Sequence, residues 1–155
     1  MLQIRLHEGS RDCLDRLFAE ADDSETEIAA YRDLGDVLAA VAGQEIVGHA
    51  LILAEALPGW FELKSLAVSP MWRSRGVGAA LVRACRDYCR ERNGSSLTVA
   101  TAAASIRALQ FYQRQGFRMR RIIRDFYSPA RGYRPLELNG IELLDEVILD
   151  LELRD

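Results

Sequence analysis

Residues 71–81 read Met-Trp-Arg-Ser-Arg-Gly-Val-Gly-Ala-Ala-Leu. Arg73, Arg75, Gly76 and Gly78 therefore crowd the junction between an apolar strand-like run and a helical one. A helix opening near Gly76 leaves its first-turn N–H groups unpaired, at the positive end of its dipole. Anions dock readily at such a terminus. Glycine at 76 and 78 removes side chains that would hold a phosphate away, and arginine adds forked, charged donors. The combination suits a diphosphate. It is not a P-loop, since no Gly-Lys-Ser/Thr follows. Nor is it a dinucleotide fingerprint, because Leu81 stands where the third glycine belongs. Taken alone, the pattern also describes an ordinary helix entry packed with small residues.

Flanking elements must position this junction. LQIRLH (2–7) alternates and reads as a first strand. From Ser10 to about Arg32 apolar residues recur at helical spacing, broken near 21–25, with Ser24 a candidate cap. Two apolar runs flank Gly43-Gln44, a hairpin signal, and Pro58-Gly59 marks the next turn. WFELKSLAV (60–68) is a long strand ended by Pro70, and Gly76 to Arg92 is a helix stopped by Asn93-Gly94. Then come a strand at 96–101, a helix at 105–115, a strand at 117–128 and a last strand within 141–153. Three hairpin-linked strands precede two strand–helix units. That order predicts an α/β (α+β) domain spanning 1–155: a mixed, mostly antiparallel sheet of about seven strands with helices on both faces.

Composition narrows the function. A net charge of -3 gives no general pull toward nucleic acid. Apolar runs are too short to span a bilayer, and no leader-like segment opens the chain, so a cytoplasmic location is expected. Cys13, Cys85 and Cys89 lack metal or redox spacing and read as small core-facing hydrophobes. No metal is expected. Residues 8–27 are acid-rich, whereas 114–134 are arginine-rich. Among 20 basic residues only Lys64 is a lysine.

ELKSLAVSPMWRSRGVGAALV, followed after a helix and a strand by ALQFYQRQGF, resembles the GNAT acetyltransferase superfamily. The resemblance implies the GNAT fold and acetyl-coenzyme A as cosubstrate, its pyrophosphate held by the backbone of Arg73, Ser74, Arg75, Gly76, Val77, Gly78 and Ala79. It implies that the strands carrying 60–68 and 96–101 splay apart. Main-chain groups near Leu66, Ala67 and Val68 would then bind the pantetheine arm and the thioester oxygen. Tyr112 matches the family tyrosine that protonates the departing sulfur. Ser105 stands where many members carry asparagine, and can still cap its helix and reach the coenzyme.

Glu62 is the expected base. Strict alternation puts it on one face with Lys64, Leu66 and Val68, about 13 Å along the strand from Leu66. Counting back from Gly76, it also falls where histone-acetylating members carry a glutamate. Lys64 is a candidate for a substrate carboxylate, set against a simple pair with Glu62. The loop at 128–140 either walls the acceptor site, joins a homodimer or is plain surface. The expected reaction is acetyl transfer to a primary amine, preferably of a small molecule, by direct attack. A protein lysine or N-terminus, a non-catalytic acyl-coenzyme A module and a nucleotide-binding protein remain as rivals.

Overall fold

The sheet's central strands are buried without a break over 37–41 and 47–52, because helices with apolar stripes cover both of its faces. The computed structural model describes residues 1–154. Strand β1 (Leu2–Leu6) leads into helices α1 (Asp15–Ala21) and α2 (Glu25–Tyr31). Ser24 caps α2 as expected, its hydroxyl accepting from the Glu27 N–H at 3.1 Å. Strands β2 (Asp36–Ala42), β3 (Glu45–Ala54) and β4 (Trp60–Val68) follow as a meander. Helix α3 (Val77–Glu91), strand β5 (Ser96–Ala102), helix α4 (Ile106–Arg114) and strand β6 (Arg118–Ile123) come next. A small separate hairpin, β7 (Glu137–Leu138) and β8 (Ile141–Glu142), precedes the last long strand, β9 (Glu146–Glu152).

The main sheet has seven strands in the order β1-β2-β3-β4-β5-β9-β6. Every neighbouring pair is antiparallel except β4–β5. One face packs under α3 and α4 through Leu81, Val82, Cys85, Leu97, Tyr112 and Phe117. The opposite face packs under α1 and α2 through Leu14, Phe18, Tyr31, Val37 and Leu51. A fully buried side chain of this size contributes roughly 1.5–3 kcal/mol, so each helix is held chiefly by its apolar stripe.

Three local expectations change. The strand at 117–128 stops at Ile123: Asp125 takes a left-handed φ of 58°, and its N–H turns to the Asp145 carboxylate at 2.9 Å. Phe126, Tyr127 and Tyr133 then gather with Ala102 and Leu143 in a third apolar cluster. Of the cysteines, Cys85 and Cys89 are buried but Cys13 is exposed, its sulfur 4.0 Å from His7 Nε2. The β7–β8 hairpin straddles the end of the 128–140 loop, and its two-residue strands are too short for alternation to be read from sequence. No helix among the described residues is long and apolar enough to cross a membrane.

Candidate active site

Two strands that begin as partners and part midway define the site. β4 and β5 pair from Trp60–Ser96 to Leu63–Val99, and then both run on unpaired with each other. β5 stays bonded to β9 and β4 to β3, so a gap opens inside the sheet. The Ser69 N–H donates back to Val47 of β3 at 2.8 Å. Backbone groups alternate along a strand, so Ala67 also faces β3, while Leu66 and Val68 turn their N–H and C=O toward the gap. The Ala67 carbonyl would stand 3.0 Å from a Cβ built on Gly48 of β3, consistent with that direction. The predicted splay is present, and Leu66 and Val68 supply its free amides. Ala67 contributes no polar group there.

Glu62 does not share a face with Leu66 and Val68. Leu51 of β3 opposes Ser65 but Ile52 opposes Leu63, so Lys64 is an extra residue, a β-bulge. The bulge puts Lys64 and Ser65 on the same side and reverses the alternation beyond them. Leu63, Leu66 and Val68 consequently pack toward α3. Glu62 and Lys64 instead face a cavity on the α1/α2 side, Lys64 Nζ lying 5.1 Å from the centre of the Tyr31 ring. Lys64 pairs with Glu62 at 3.8 Å. Burial raises the Glu62 pKa above the ordinary carboxylate value against the opposing pull of Lys64, with Glu55 adding to the rise.

At the end of β4, Pro70–Trp72 form one 3-10 turn and the chain enters α3 through Gly76. Ser74 and Gly76 both take left-handed backbone, φ 62° and 81°. The first α3 bond is Ala80 N–H to Gly76 C=O, which leaves the N–H groups of Val77, Gly78 and Ala79 without helical partners. The two glycines serve different ends. A Cβ on Gly76 would meet nothing within 4 Å, so its need is the positive φ. A Cβ on Gly78 would come within 3.2 Å of the Phe111 ring, so its need is room for α4. The arginines diverge likewise. Arg73 donates to the Val68 carbonyl at 3.2 Å and pairs with Glu20 at 2.7 Å, tying the loop to β4 and α1. Arg75 makes no ion pair among the described residues and lies 5.0 Å over the Trp72 ring.

On α4, Phe111 faces Gly78, and Tyr112 is buried edge-on between Phe111 and Phe117. Its hydroxyl bonds no group among the described residues, and burial raises its pKa above the usual phenol value, keeping it protonated. Ser105 occupies the N-cap position of α4 without forming a side-chain cap bond, and lines the same cavity as Glu62.

That cavity, about 370 Å³, was not visible as a unit in the sequence. Its walls come from α1, α2, β4, β5, the 126–143 segment and Glu146 at the head of β9. Asp22 is central: it accepts from Tyr31 at 3.0 Å and from Tyr133 at 2.7 Å. Glu146 opposes Ala102 of β5, is 7 % exposed, and has its pKa pushed up to about 7 by burial, with Lys64 opposing and Glu62 adding. The one sequence signal for Glu146 was a charged residue at the head of an apolar strand. His49 lies behind this wall, its Nε2 2.9 Å from the Ser65 hydroxyl, and burial lowers its pKa to about 3, so the ring is neutral. No group of three His, Cys, Asp or Glu side chains is arranged to hold a metal among the described residues.

With this geometry in hand, known proteins bear on the chain. Residues 4–117 match the sequence profile of the acetyltransferase (GNAT) family. YvbK of Bacillus subtilis, an uncharacterized N-acetyltransferase, is 31% identical over 153 residues, covering 98% of this chain and 97% of that protein. A Bacillus subtilis acetyltransferase solved in complex with CoA superposes with a TM-score of 0.90 at 30% identity, covering 99% of this chain and 100% of that one. A GNAT family acetyltransferase from Elizabethkingia anophelis, solved with acetyl-CoA bound, also gives 0.90, at 26% identity and 97% coverage of both chains.

Proposed function

The chain belongs to the acetyltransferase (GNAT) family, and we propose that it moves an acetyl group from acetyl-coenzyme A to the primary amine of a small molecule by direct attack in a ternary complex. The observation that carries this reading is the gap between β4 and β5, with Leu66 and Val68 amides free beside the uncapped start of α3. Bound acetyl-CoA or CoA in two similar structures supports the same cosubstrate here.

The α3 amides of Val77 to Ala79, with Arg75, hold the diphosphate. Leu66 and Val68 give the pantetheine arm a strand edge and the thioester oxygen a donor. The acceptor enters from the α1/α2 side. An alkylammonium has a pKa near 10.4 and must shed a proton before its nitrogen can attack. Glu62 takes that proton through water; its raised pKa makes it a stronger base than an exposed carboxylate. The new C–N bond forms as the C–S bond breaks, and the sulfur takes a proton from Tyr112. Cys85 and Cys89 are buried on α3, which leaves neither placed to carry an acetyl group.

The cavity's size favours a small acceptor: about 370 Å³ sits near the lower end of small-molecule sites, roughly 300–1,000 Å³. A thiol-release assay with acetyl-coenzyme A and a panel of amines and peptides tests the reading. Release on small amines is expected. Tight binding of acetyl-coenzyme A with no release on any member would favour a non-catalytic acyl-coenzyme A module.

A further inference from the structure

We propose that the acceptor is a small amine bearing at least two positive charges. Its reacting end lies between Glu62 and Glu146, and its distal ammonium lies toward Asp22 and Asp23. This rests on the acetyltransferase reading above and names the substrate class for that site.

The cavity is lined by six carboxylates and one lysine. Three of the six already have cations: Glu20 has Arg73 at 2.7 Å, Glu27 has Arg131 at 3.5 Å and Glu62 has Lys64 at 3.8 Å. Asp22, Asp23 and Glu146 have no cation within ion-pairing distance among the described residues, although Lys64 and Arg131 act on Glu146 from farther off. Glu146 is the informative member. It is 93 % buried by its 7 % exposure, faces the cavity, and makes no hydrogen bond or ion pair among the described residues. His49 Nδ1 is the one fully enclosed side-chain polar atom without a partner among the described residues, so the Glu146 oxygens open into the cavity, where a hydrogen-bonded cation would offset the cost of taking the carboxylate out of bulk water. Burial pushes the Glu146 pKa up to about 7, although Lys64 and Arg131 pull it down.

The aromatic wall points the same way. Phe126, Tyr127 and Tyr133 meet one another at 4.9–6.4 Å between ring centres and line the same cavity as Lys64. Ammonium groups are attracted to such ring faces. The cavity already shows one arrangement of this kind: Lys64 Nζ is 5.1 Å from the Tyr31 ring centre and 3.8 Å from Glu62. A second alkylammonium from solution would find the same pairing of ring and carboxylate toward Asp22 and Glu146. A monoamine brings one positive charge to these carboxylates, and a linear diamine brings two.

The test measures kcat/KM for acetyl-coenzyme A-dependent thiol release by the full chain on putrescine, spermidine and n-butylamine, with a lysine-containing peptide alongside. Putrescine and spermidine should exceed butylamine by about tenfold or more, one added charge contact being a factor of that order. Asp23→Asn and Glu146→Gln should each shrink the diamine-to-monoamine ratio, a comparison made within one protein sample and so unaffected by partial unfolding. Equal use of butylamine and putrescine, preference for the peptide, or ratios unmoved by both variants would overturn the proposal while leaving the acetyltransferase reading intact. Release on no amine at all would overturn both.

Discussion

The two sides of the β4–β5 gap are built from different materials. On the α3 side the groups offered to a ligand are main-chain amides: Leu66, Val68 and the first turn of α3. On the α1/α2 side they are side chains, Glu62, Glu146, Asp22 and a tyrosine wall, drawn from segments far apart in sequence. Backbone geometry suits a ligand that is the same for every member of a family, because it needs only the fold and a few permissive residues. Side chains suit a ligand that differs, because they change without disturbing the sheet. The cosubstrate half thus rests on the fold's backbone, and the acceptor half on this chain's side chains.

Breaking the acceptor half at its base should give the largest effect. Glu62→Gln should lower kcat by about 10²–10⁴-fold, the usual range for a positioned general base, with little change in acetyl-coenzyme A affinity. The pH profile sharpens the assignment. Burial raises the Glu62 pKa, so kcat/KM should climb with pH through a limb above the ordinary carboxylate value as the base form appears. That limb should vanish in the glutamine variant. An unchanged profile would remove Glu62 from the mechanism.

The cosubstrate half should break through shape. Gly78→Val drives a branched side chain into Phe111, already 3.2 Å from a Cβ there; overpacking of this sort costs roughly 1–3 kcal/mol. Calorimetry should show acetyl-coenzyme A affinity falling about tenfold or more as the α3 entrance shifts against α4. Retained affinity would mean the loop tolerates displacement and the amides are not the grip.

Smaller effects separate the two arginines. Arg75→Ala should weaken acetyl-coenzyme A binding about three- to tenfold, more at low salt than at high, because its charge is unspent. Arg73→Ala should act mainly on stability, since Arg73 is already engaged by Glu20 and the Val68 carbonyl. Equal losses of affinity in both would contradict the division of labour.

Stability carries the smallest expected signal. Glu146 has a folded-state pKa near 7, above its unfolded value. The folded chain therefore holds that proton more tightly, and the protection is full below about pH 4.5 and lost as pH rises through 7. Glu146→Gln should raise the melting temperature by a few degrees at pH 8 and leave it nearly unchanged at pH 5.

Legibility in the sequence follows the same division. The Gly76 turn, the Ser24 cap, the Gly43-Gln44 hairpin and the order of strands and helices were readable because each depends on neighbours in the chain. So was the direction of the Leu66 and Val68 amides, which needs only strand alternation. The bulge at Lys64 was not, because it exists only in register with β3, and it moved Glu62 to the other face from Leu66. Glu146 was unreadable for a similar reason: nothing local says that the head of β9 lands beside β4's carboxylate. Gly78 looked like phosphate clearance, and its contact with Phe111 appears only when α3 and α4 are packed.

A crystal structure of the chain with acetyl-coenzyme A would locate the cosubstrate outright. One molecule should be bound, its diphosphate about 3 Å from the main-chain nitrogens of Val77, Gly78 and Ala79, and its thioester oxygen within hydrogen-bonding distance of the Leu66 or Val68 N–H. A diphosphate bound elsewhere, or a gap between β4 and β5 left empty at saturating ligand, would contradict it.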